Sequence, residues 1–328
     1  NVPETSPVYD KKVSEAREII VAWLKEKNLL IEEKEIDQSV ATAERTEGII
    51  EPLPKLQWFI DVNKPSAKHG GKTLKDLMLE PVKNGDVTLV PSFFDKTYFN
   101  WVENLRDWCI SRQIWYGHRI PVWYPSAGSG QTEPYCGIEA PSGEGWIQDE
   151  DSLDTWFSSA LWTFSTLGWP ENTKDLQTYH PTSTLVTAYE IIFFWVARMV
   201  LMTEYELKTI PFKTVYFTGV VRDTQGRKFS KSLGNGIDPI DVANKYGSDA
   251  GRMALVLGTA PGTDMKLSED KIKGQKLFAN KLWNITRFIL SNIEGIDMGV
   301  SYTFRDQELL SEWKSELAKI TQDIEEYS

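Results

Sequence analysis

The sequence predicts an α/β protein, in which a parallel sheet is followed by an α-helical segment. Short apolar runs at 183–187 and 214–218 have the length and composition of buried strands. Each is followed by a helical pattern, beginning near Tyr189 and Pro239 respectively. Strands that alternate with helices in this way are typical of a parallel sheet.

The helical segment is predicted by apolar residues that recur at helical spacing along 277–289 and again along 310–324. The second stripe continues almost to the last residue, so its apolar face must pack on something. The sequence also begins with Asn1 rather than Met. From these two features we expect the chain to be an internal piece of a longer protein.

The first half of the sequence is less regular. An amphipathic helix is predicted over 10–30 and a strand over 57–62. Further helices are predicted around 74–79 and over 97–110, and the Gly-, Ser- and Pro-rich stretch 124–149 is predicted to be a surface loop.

Composition excludes several classes of protein. The 328 residues are 41% hydrophobic, which is ordinary for a folded globular chain, and the net charge of −11 excludes a uniformly basic nucleic-acid binder. Two cysteines exclude a disulfide scaffold, and the three histidines are widely scattered, so neither a bound zinc nor any other metal site is predicted. The longest apolar run, 191–202, is interrupted by Arg198 and is too short to span a membrane. We therefore expect a cytoplasmic protein with no membrane partner.

One short stretch combines two lysines, Lys228 and Lys231, with two serines, Ser230 and Ser232, between flanking glycines. Such a loop can bring ammonium and hydroxyl groups onto one polyanion, and Lys suits phosphate as a point charge on a flexible stem. A solvated lysine turn explains the same pattern when it is taken alone.

The stretch 228–235 resembles the KMSKS signature of class I aminoacyl-tRNA synthetases, with Phe229 in place of Met. Further blocks occur in the order found in that family and extend the resemblance over nearly the whole chain: 43–46 with 50–52 and 57–59, 107–113 with 117–121, 153–161, and 278–284. The valine-specific members are the most similar, and the isoleucine-specific members are the runner-up.

The resemblance implies a fold and a division into domains. It implies a partial Rossmann-like sheet, the C-terminal half of a catalytic domain. The implied regions are the tail of an editing insertion (1–52), the second half of the catalytic domain with a connective insertion (53–250), a stem-contact region (251–272) and the beginning of a helical anticodon-binding domain (273–328).

The resemblance also implies a valine pocket. Trp156, Ile191 and Trp195 fall on positions that wall the amino-acid side chain, and Ile191 and Trp195 would share a face of one helix. The two tryptophans taken alone would equally suit an ordinary core.

Thr187, Ala188 and Glu190 fall where the family contacts the aminoacyl-adenylate. The usual residues are Gly where Ala188 stands and Asp where Glu190 stands, so the sequence departs from the family at two of these three positions. Lys228 and Lys231, with Ser230 and Ser232 of the same loop, are implied to bind ATP, and Mg²⁺ is expected to accompany it. The two lysines are the implied catalytic residues, Lys231 the stronger of the two.

The other signature of the class, His-Ile-Gly-His, is absent from this sequence. The implied activity of the parent protein is activation of L-valine with ATP and transfer to tRNA(Val), whereas this chain alone is expected to be inactive without a separate N-terminal half as partner. The alternatives are a piece of an isoleucine enzyme, a non-catalytic module that binds tRNA or protein, and a diverged paralogue.

Overall fold

The computed structural model describes residues 3–43, 46–52, 54–126, 133–143, 145–231, 233–295, 299 and 301–327. The chain divides into two compact units, Asn1–Leu56 and Gln57–Ser328. In the first unit α1 (Val13–Glu26) confirms the predicted amphipathic helix, although none of its residues is buried. Thr42 and Ile49 form an isolated antiparallel bridge.

The second unit holds the other elements. Its strands are β1 (Phe59–Ile60), β2 (Thr88–Val90), β3 (Trp108–Cys109), β4 (Ser111–Arg112), β5 (Val122–Pro125), β6 (Tyr135–Cys136), β7 (Trp146–Gln148), β8 (Ser152–Leu153), β9 (Thr182–Ala188), β10 (Phe212–Thr218), β11 (Val221–Arg222) and β12 (Met265–Lys266). Its α-helices are α2 (Leu74–Lys83), α3 (Phe94–Glu103), α4 (Thr155–Ser159), α5 (Trp162–Ser165), α6 (Lys174–Tyr179), α7 (Arg198–Leu207), α8 (Pro239–Tyr246), α9 (Ser248–Val256), α10 (Glu269–Asn292) and α11 (Phe304–Glu325).

A parallel sheet of three strands, in the order β2–β10–β9, confirms the predicted fold class. Thr214 at the middle of the sheet pairs with Thr88 on one side and Thr184 on the other. The three strands are parallel, so their carboxyl ends lie at the same edge, where ligands bind in open α/β sheets.

The core lies on one face of this sheet, where α2, α3 and α7 cover it. Val215 and Phe217 of β10 are fully buried there together with Val196 and Val200. Burying each such side chain contributes about 1.5–3 kcal/mol. The buried hydroxyl of Tyr98 donates a hydrogen bond of 2.9 Å to the Met78 carbonyl, so this polar group does not remain unpaired in the core.

Two predictions about the first half of this unit are wrong. The helix predicted over 97–110 ends at Glu103, and Trp108 lies in β3, which pairs with β1. The stretch predicted to be a loop contains β6 and β7, which pair on either side of β5. These strands of two to four residues are stabilised by pairing across the chain, which local composition does not reveal.

The predicted helical segment is confirmed. Ala250 and Ala254 of α9 pack with Ile272 of α10 in a small core, and capping side chains stabilise the starts of α10 and α11. Much of the apolar surface of α10 and α11 is exposed, including Trp283 and Trp313. No helix in the described ranges is long and apolar enough to cross a membrane.

Candidate active site

The carboxyl end of β9 presents the predicted adenylate-contacting residues. Thr187 is buried and Ala188 is half-buried, and they pair in register with Phe217 and Thr218 of β10. Glu190 follows them on the surface. The structure therefore places Thr187, Ala188 and Glu190 together at the edge of the sheet where ligands are expected.

The chain after β9 is not the regular α-helix that the sequence predicts. Tyr189–Ile191 form a 3₁₀ turn, Ile192–Ala197 form a π-helical turn, and α-helical geometry begins only at Arg198. The α-helical spacing of 3.6 residues per turn, on which the expectation of a shared face for Ile191 and Trp195 is based, does not hold here. The shared face itself stays a prediction. Turns of π-helix are frequent at functional sites.

Trp156 and Trp195 lie where α4 packs against the π-helical turn. The Trp156 ring stacks on Phe194 with centroids 5.8 Å apart and an interplanar angle of 24°. The Trp195 indole donates a hydrogen bond of 3.0 Å to the Ser159 carbonyl and lies beside Trp162. These contacts hold aromatic side chains of α4, α5 and the π-helical turn together. We call Trp156, Trp162, Phe194 and Trp195 the aromatic wall.

A charge network is centred on the buried carboxylate of Asp154, at the start of the helix α4 that carries Trp156. The Asp154 carboxylate accepts a hydrogen bond of 2.9 Å from the Trp108 indole, and it lies 3.1 Å from an Arg112 nitrogen and 3.6 Å from an Arg198 nitrogen. The Arg198 guanidinium stacks 4.0 Å from the centre of the Trp108 ring. Sequence reasoning missed this network, although Arg198 was visible as the one charge within the longest apolar run.

The lysine loop follows β11 as a tight hairpin. Arg222 and Lys228 form an antiparallel bridge, and the turn between them is closed by a hydrogen bond of 2.9 Å from the Asp223 amide to the Arg227 carbonyl. Gly226 takes the left-handed backbone conformation, with φ of 84°, that this turn requires.

This hairpin brings the lysine loop into contact with the residues at the end of β9. The Lys228 ammonium forms an ion pair with the Glu190 carboxylate at the end of β9. Lys231 is exposed and makes no ion pair with any residue of the described ranges, and Ser230 is half-buried. Ser232 lies outside the described residues.

Asp264 joins the end of β9 to the strand before the lysine loop. Its carboxylate accepts hydrogen bonds from the Tyr189 hydroxyl (3.0 Å), the Val220 amide (2.8 Å) and the Arg222 guanidinium (2.5 Å). Burial alone would raise the pKa of Asp264, but these hydrogen bonds outweigh it and lower the pKa. The carboxylate therefore stays charged at neutral pH and holds the base of the loop in place.

The same junction depends on a close backbone approach at Gly219. A Cβ atom at this position would lie 1.7 Å from the Thr263 carbonyl oxygen, which is backbone and cannot move aside alone. We expect Gly219→Ala to lower the free energy of unfolding by about 1–3 kcal/mol, measured by thermal denaturation. Gly274→Ala is the matched control because nothing lies within 4 Å of its Cβ, and alanine there should be neutral or stabilising within its helix. Equal melting temperatures for the two variants would contradict this close approach.

Within the ranges that the structure describes, no group of three or more His, Cys, Asp or Glu side chains could hold a metal ion.

The sequence of the chain also matches a known family of proteins. The family model described as tRNA synthetases class I (I, L, M and V) matches residues 7–140 and 138–268. The chain belongs to the class I tRNA synthetases.

Among class I synthetases, the relatives by sequence include valine–tRNA ligases. Those of Clostridium tetani and Clostridium acetobutylicum are 46% and 47% identical to this chain over 322 residues, which is 95% of the chain. The ligase of Lactococcus lactis is 50% identical over 283 residues. The alignments cover 36%, 35% and 31% of these relatives, so the chain spans about a third of their length.

Solved structures of class I synthetases share the fold. Methionyl-tRNA synthetase of Mycobacterium tuberculosis, in complex with methionyl-adenylate, matches with a TM-score of 0.65 and 17% identity, over 88% of this chain and 52% of that one. The LeuRS–tRNA–LeuAMS ternary complex of Agrobacterium radiobacter K84 matches with a TM-score of 0.56 and 20% identity, over 68% and 34%. The sheet therefore has the Rossmann-like fold of these structures.

Proposed function

We propose that this chain supplies the second half of the active site of a valine–tRNA ligase. The observation that carries the proposal is the ion pair between Lys228 and Glu190, because it joins the lysine loop to the residues at the end of β9 in one site. The relatives named above support valine as the amino acid.

In the proposed reaction the valine carboxylate attacks the α-phosphorus of ATP. The bond to the β-phosphate oxygen breaks, valyl-adenylate forms, and pyrophosphate leaves with the negative charge. Lys228 and Lys231 bind the β- and γ-phosphates and stabilise the charge that develops on the leaving pyrophosphate. Mg²⁺ would arrive with ATP and neutralise phosphate charge. A terminal hydroxyl of tRNA(Val) then attacks the valyl carbonyl carbon, the bond from that carbon to the phosphate oxygen breaks, AMP leaves, and the hydroxyl proton passes to solvent.

The amino-acid side of the site is assigned to Trp156, Ile191 and Trp195. The aromatic wall is rigid, so it excludes larger side chains by size. A pocket of this kind gains only about 1–3 kcal/mol against smaller or isosteric competitors. Thr187, Ala188 and Glu190 line the adenylate, and the extra methylene of Glu190, compared with aspartate, gives its carboxylate the reach to meet Lys228.

The sheet also offers a surface for the half that carries His-Ile-Gly-His. Parallel sheets are normally covered on both faces. On the face of β9 and β10 opposite the core, Tyr327 of this chain covers Tyr216, whereas Val186 is 61% exposed. We assign the uncovered part of this face, around Val186, to the half that carries His-Ile-Gly-His. The domain boundaries at 52, 250 and 272 belong to the same proposal.

The proposal predicts that this chain alone gives no valine-dependent ATP–pyrophosphate exchange above an enzyme-free blank, because the residues of the other signature are absent. Exchange should appear when the His-Ile-Gly-His half of the Clostridium tetani relative is added, and it should depend on valine. Exchange by the chain alone would overturn the two-part site. A mixture that prefers isoleucine would favour the isoleucine enzyme instead.

A further inference from the structure

The side chain of Asn235 sits at the centre of the lysine hairpin. Its carbonyl oxygen accepts a hydrogen bond of 2.9 Å from the backbone amide of Ser230. Its amide nitrogen donates to the backbone carbonyl of Lys228 at 3.2 Å and to the carboxylate of Asp223 at 2.9 Å. One side chain thus fixes the main chain on both sides of Phe229.

Asp223 anchors Asn235 from the other strand of the hairpin. Its carboxylate is buried and also accepts hydrogen bonds from the Gln225 amide (3.0 Å), the Arg227 amide (2.8 Å) and the Arg227 guanidinium (2.8 Å). The hydrogen bond from Asn235 is the largest of the effects that lower the pKa of Asp223 to about 2. The anchor therefore stays ionised over the whole neutral range.

Phe229, between the two residues that Asn235 fixes, faces an apolar cavity. It lines a cavity of about 340 Å³ together with Val221, Ile237 and Ile272. Phe229 is directed towards α8–α10, and the backbone at 228 and 230 is fixed. The backbone from which the two lysine side chains extend towards a ligand is therefore held in place.

We propose that Asn235 is the positioning residue of the lysine loop: by bonding to the backbone of Lys228 and Ser230, it aims the two ammonium groups at the phosphates of ATP. This inference rests on the proposed role of the loop in ATP binding. Asn235 touches no substrate and acts through the lysines.

The test compares Asn235→Ala with Asn244→Ala, an exposed asparagine of α8, in the full chain. Backbone hydrogen exchange reports the order of the loop, and calorimetric titration with Mg·ATP reports the placement of the lysines. For Asn235→Ala we expect the Ser230 amide to exchange at least about tenfold faster and the Kd for Mg·ATP to rise about tenfold, since both effects follow from local opening of the loop. The strands β9 and β10 should exchange as in the original chain.

Two further variants, in which the side chains of Asn235 and Asp223 are swapped in steps, distinguish a loosened loop from a chain that fails to fold. Asn235→Asp places two carboxylates together and should loosen the loop. Adding Asp223→Asn restores one amide–carboxylate pair and should recover part of both the protection and the affinity. Unchanged exchange in Asn235→Ala, or faster exchange with unchanged Mg·ATP affinity, would overturn the positioning role. Failure of the original chain to bind Mg·ATP would instead count against the proposed function, and the exchange of the Ser230 amide would still decide whether Asn235 holds the loop.

Discussion

Replacing Asp154 with alanine is expected to lower the free energy of unfolding by about 3–5 kcal/mol, because it leaves the buried Arg198 guanidinium without its counter-charge. Asp154 is only 5% exposed and Arg198 only 7% exposed. The variant also removes the acceptor of the Trp108 indole N–H and the N-cap of α4. The loss therefore reaches Trp156, the residue of the aromatic wall that α4 carries.

The charge on Arg198 makes the stability of the protein sensitive to substitution of Asp154. Burial lowers the pKa of Arg198 to about 10, while the Asp154 carboxylate opposes that shift. The guanidinium thus remains charged at neutral pH and needs its partner. A charged group in such a place costs several kcal/mol when its partner is removed, whereas an exposed ion pair contributes about 0–1 kcal/mol.

Chemical denaturation followed by circular dichroism measures the effect. Asp154→Asn keeps a hydrogen-bond acceptor but loses the charge, so it should fall between the original chain and Asp154→Ala. Glu171→Ala removes an exposed carboxylate and should stay within about 0.5 kcal/mol. A loss below about 1 kcal/mol in Asp154→Ala would show that the guanidinium groups find water or other acceptors.

The elements that the sequence predicted well are those specified by local patterns. The helix predicted to begin at Pro239 appears as α8 with that start, because Asp238 caps it and Pro239 occupies the first turn, where its missing N–H is harmless. β9 and β10 appear because each is an apolar run long enough to cross the core. Such signals need no knowledge of the rest of the fold.

The elements that were missed depend on distant partners. β3 exists because Trp108 pairs with Ile60 and its indole finds Asp154, 46 residues further along the chain. The π-helical turn after β9 has the same composition as an α-helix, so apolar periodicity could not distinguish the two. Tertiary packing overrides local propensity in both cases.

The candidate site likewise combines residues that sequence motifs reveal with contacts that depend on distant parts of the chain. The family resemblance supplied Lys228, Lys231 and Glu190, which lie in recognisable motifs. It supplied neither the ion pair between Lys228 and Glu190 nor the role of Asp264, whose partners lie 42–75 residues earlier in the chain. Contacts over such separations become visible only when the strands are placed side by side.

Replacing Lys231 with alanine is expected to raise the Kd for Mg·ATP by about 10–100-fold. A hydrogen bond to a charged group contributes about 1.5–3 kcal/mol, and each 1.4 kcal/mol corresponds to about tenfold in affinity. Lys231 makes no ion pair within the described part of the chain, so its ammonium is available to phosphate without giving up a protein partner. Calorimetric titration of the full chain measures the change.

Lys228→Ala should have a smaller effect, about threefold by the same relation, because ATP must first draw the ammonium away from Glu190. For the same reason Glu190→Gln should tighten the binding of inorganic pyrophosphate, since it frees Lys228 and removes a negative charge beside the phosphates. The two lysine variants should also flatten the dependence of affinity on salt.

Lys213→Ala, at the opposite end of β10, is the control for a simple loss of positive charge. Equal losses of Mg·ATP affinity in Lys213→Ala and Lys231→Ala would mean that the net charge of the chain governs phosphate binding. Weaker pyrophosphate binding by Glu190→Gln would mean that Glu190 orders the loop for its ligand, rather than competing with the ligand for Lys228.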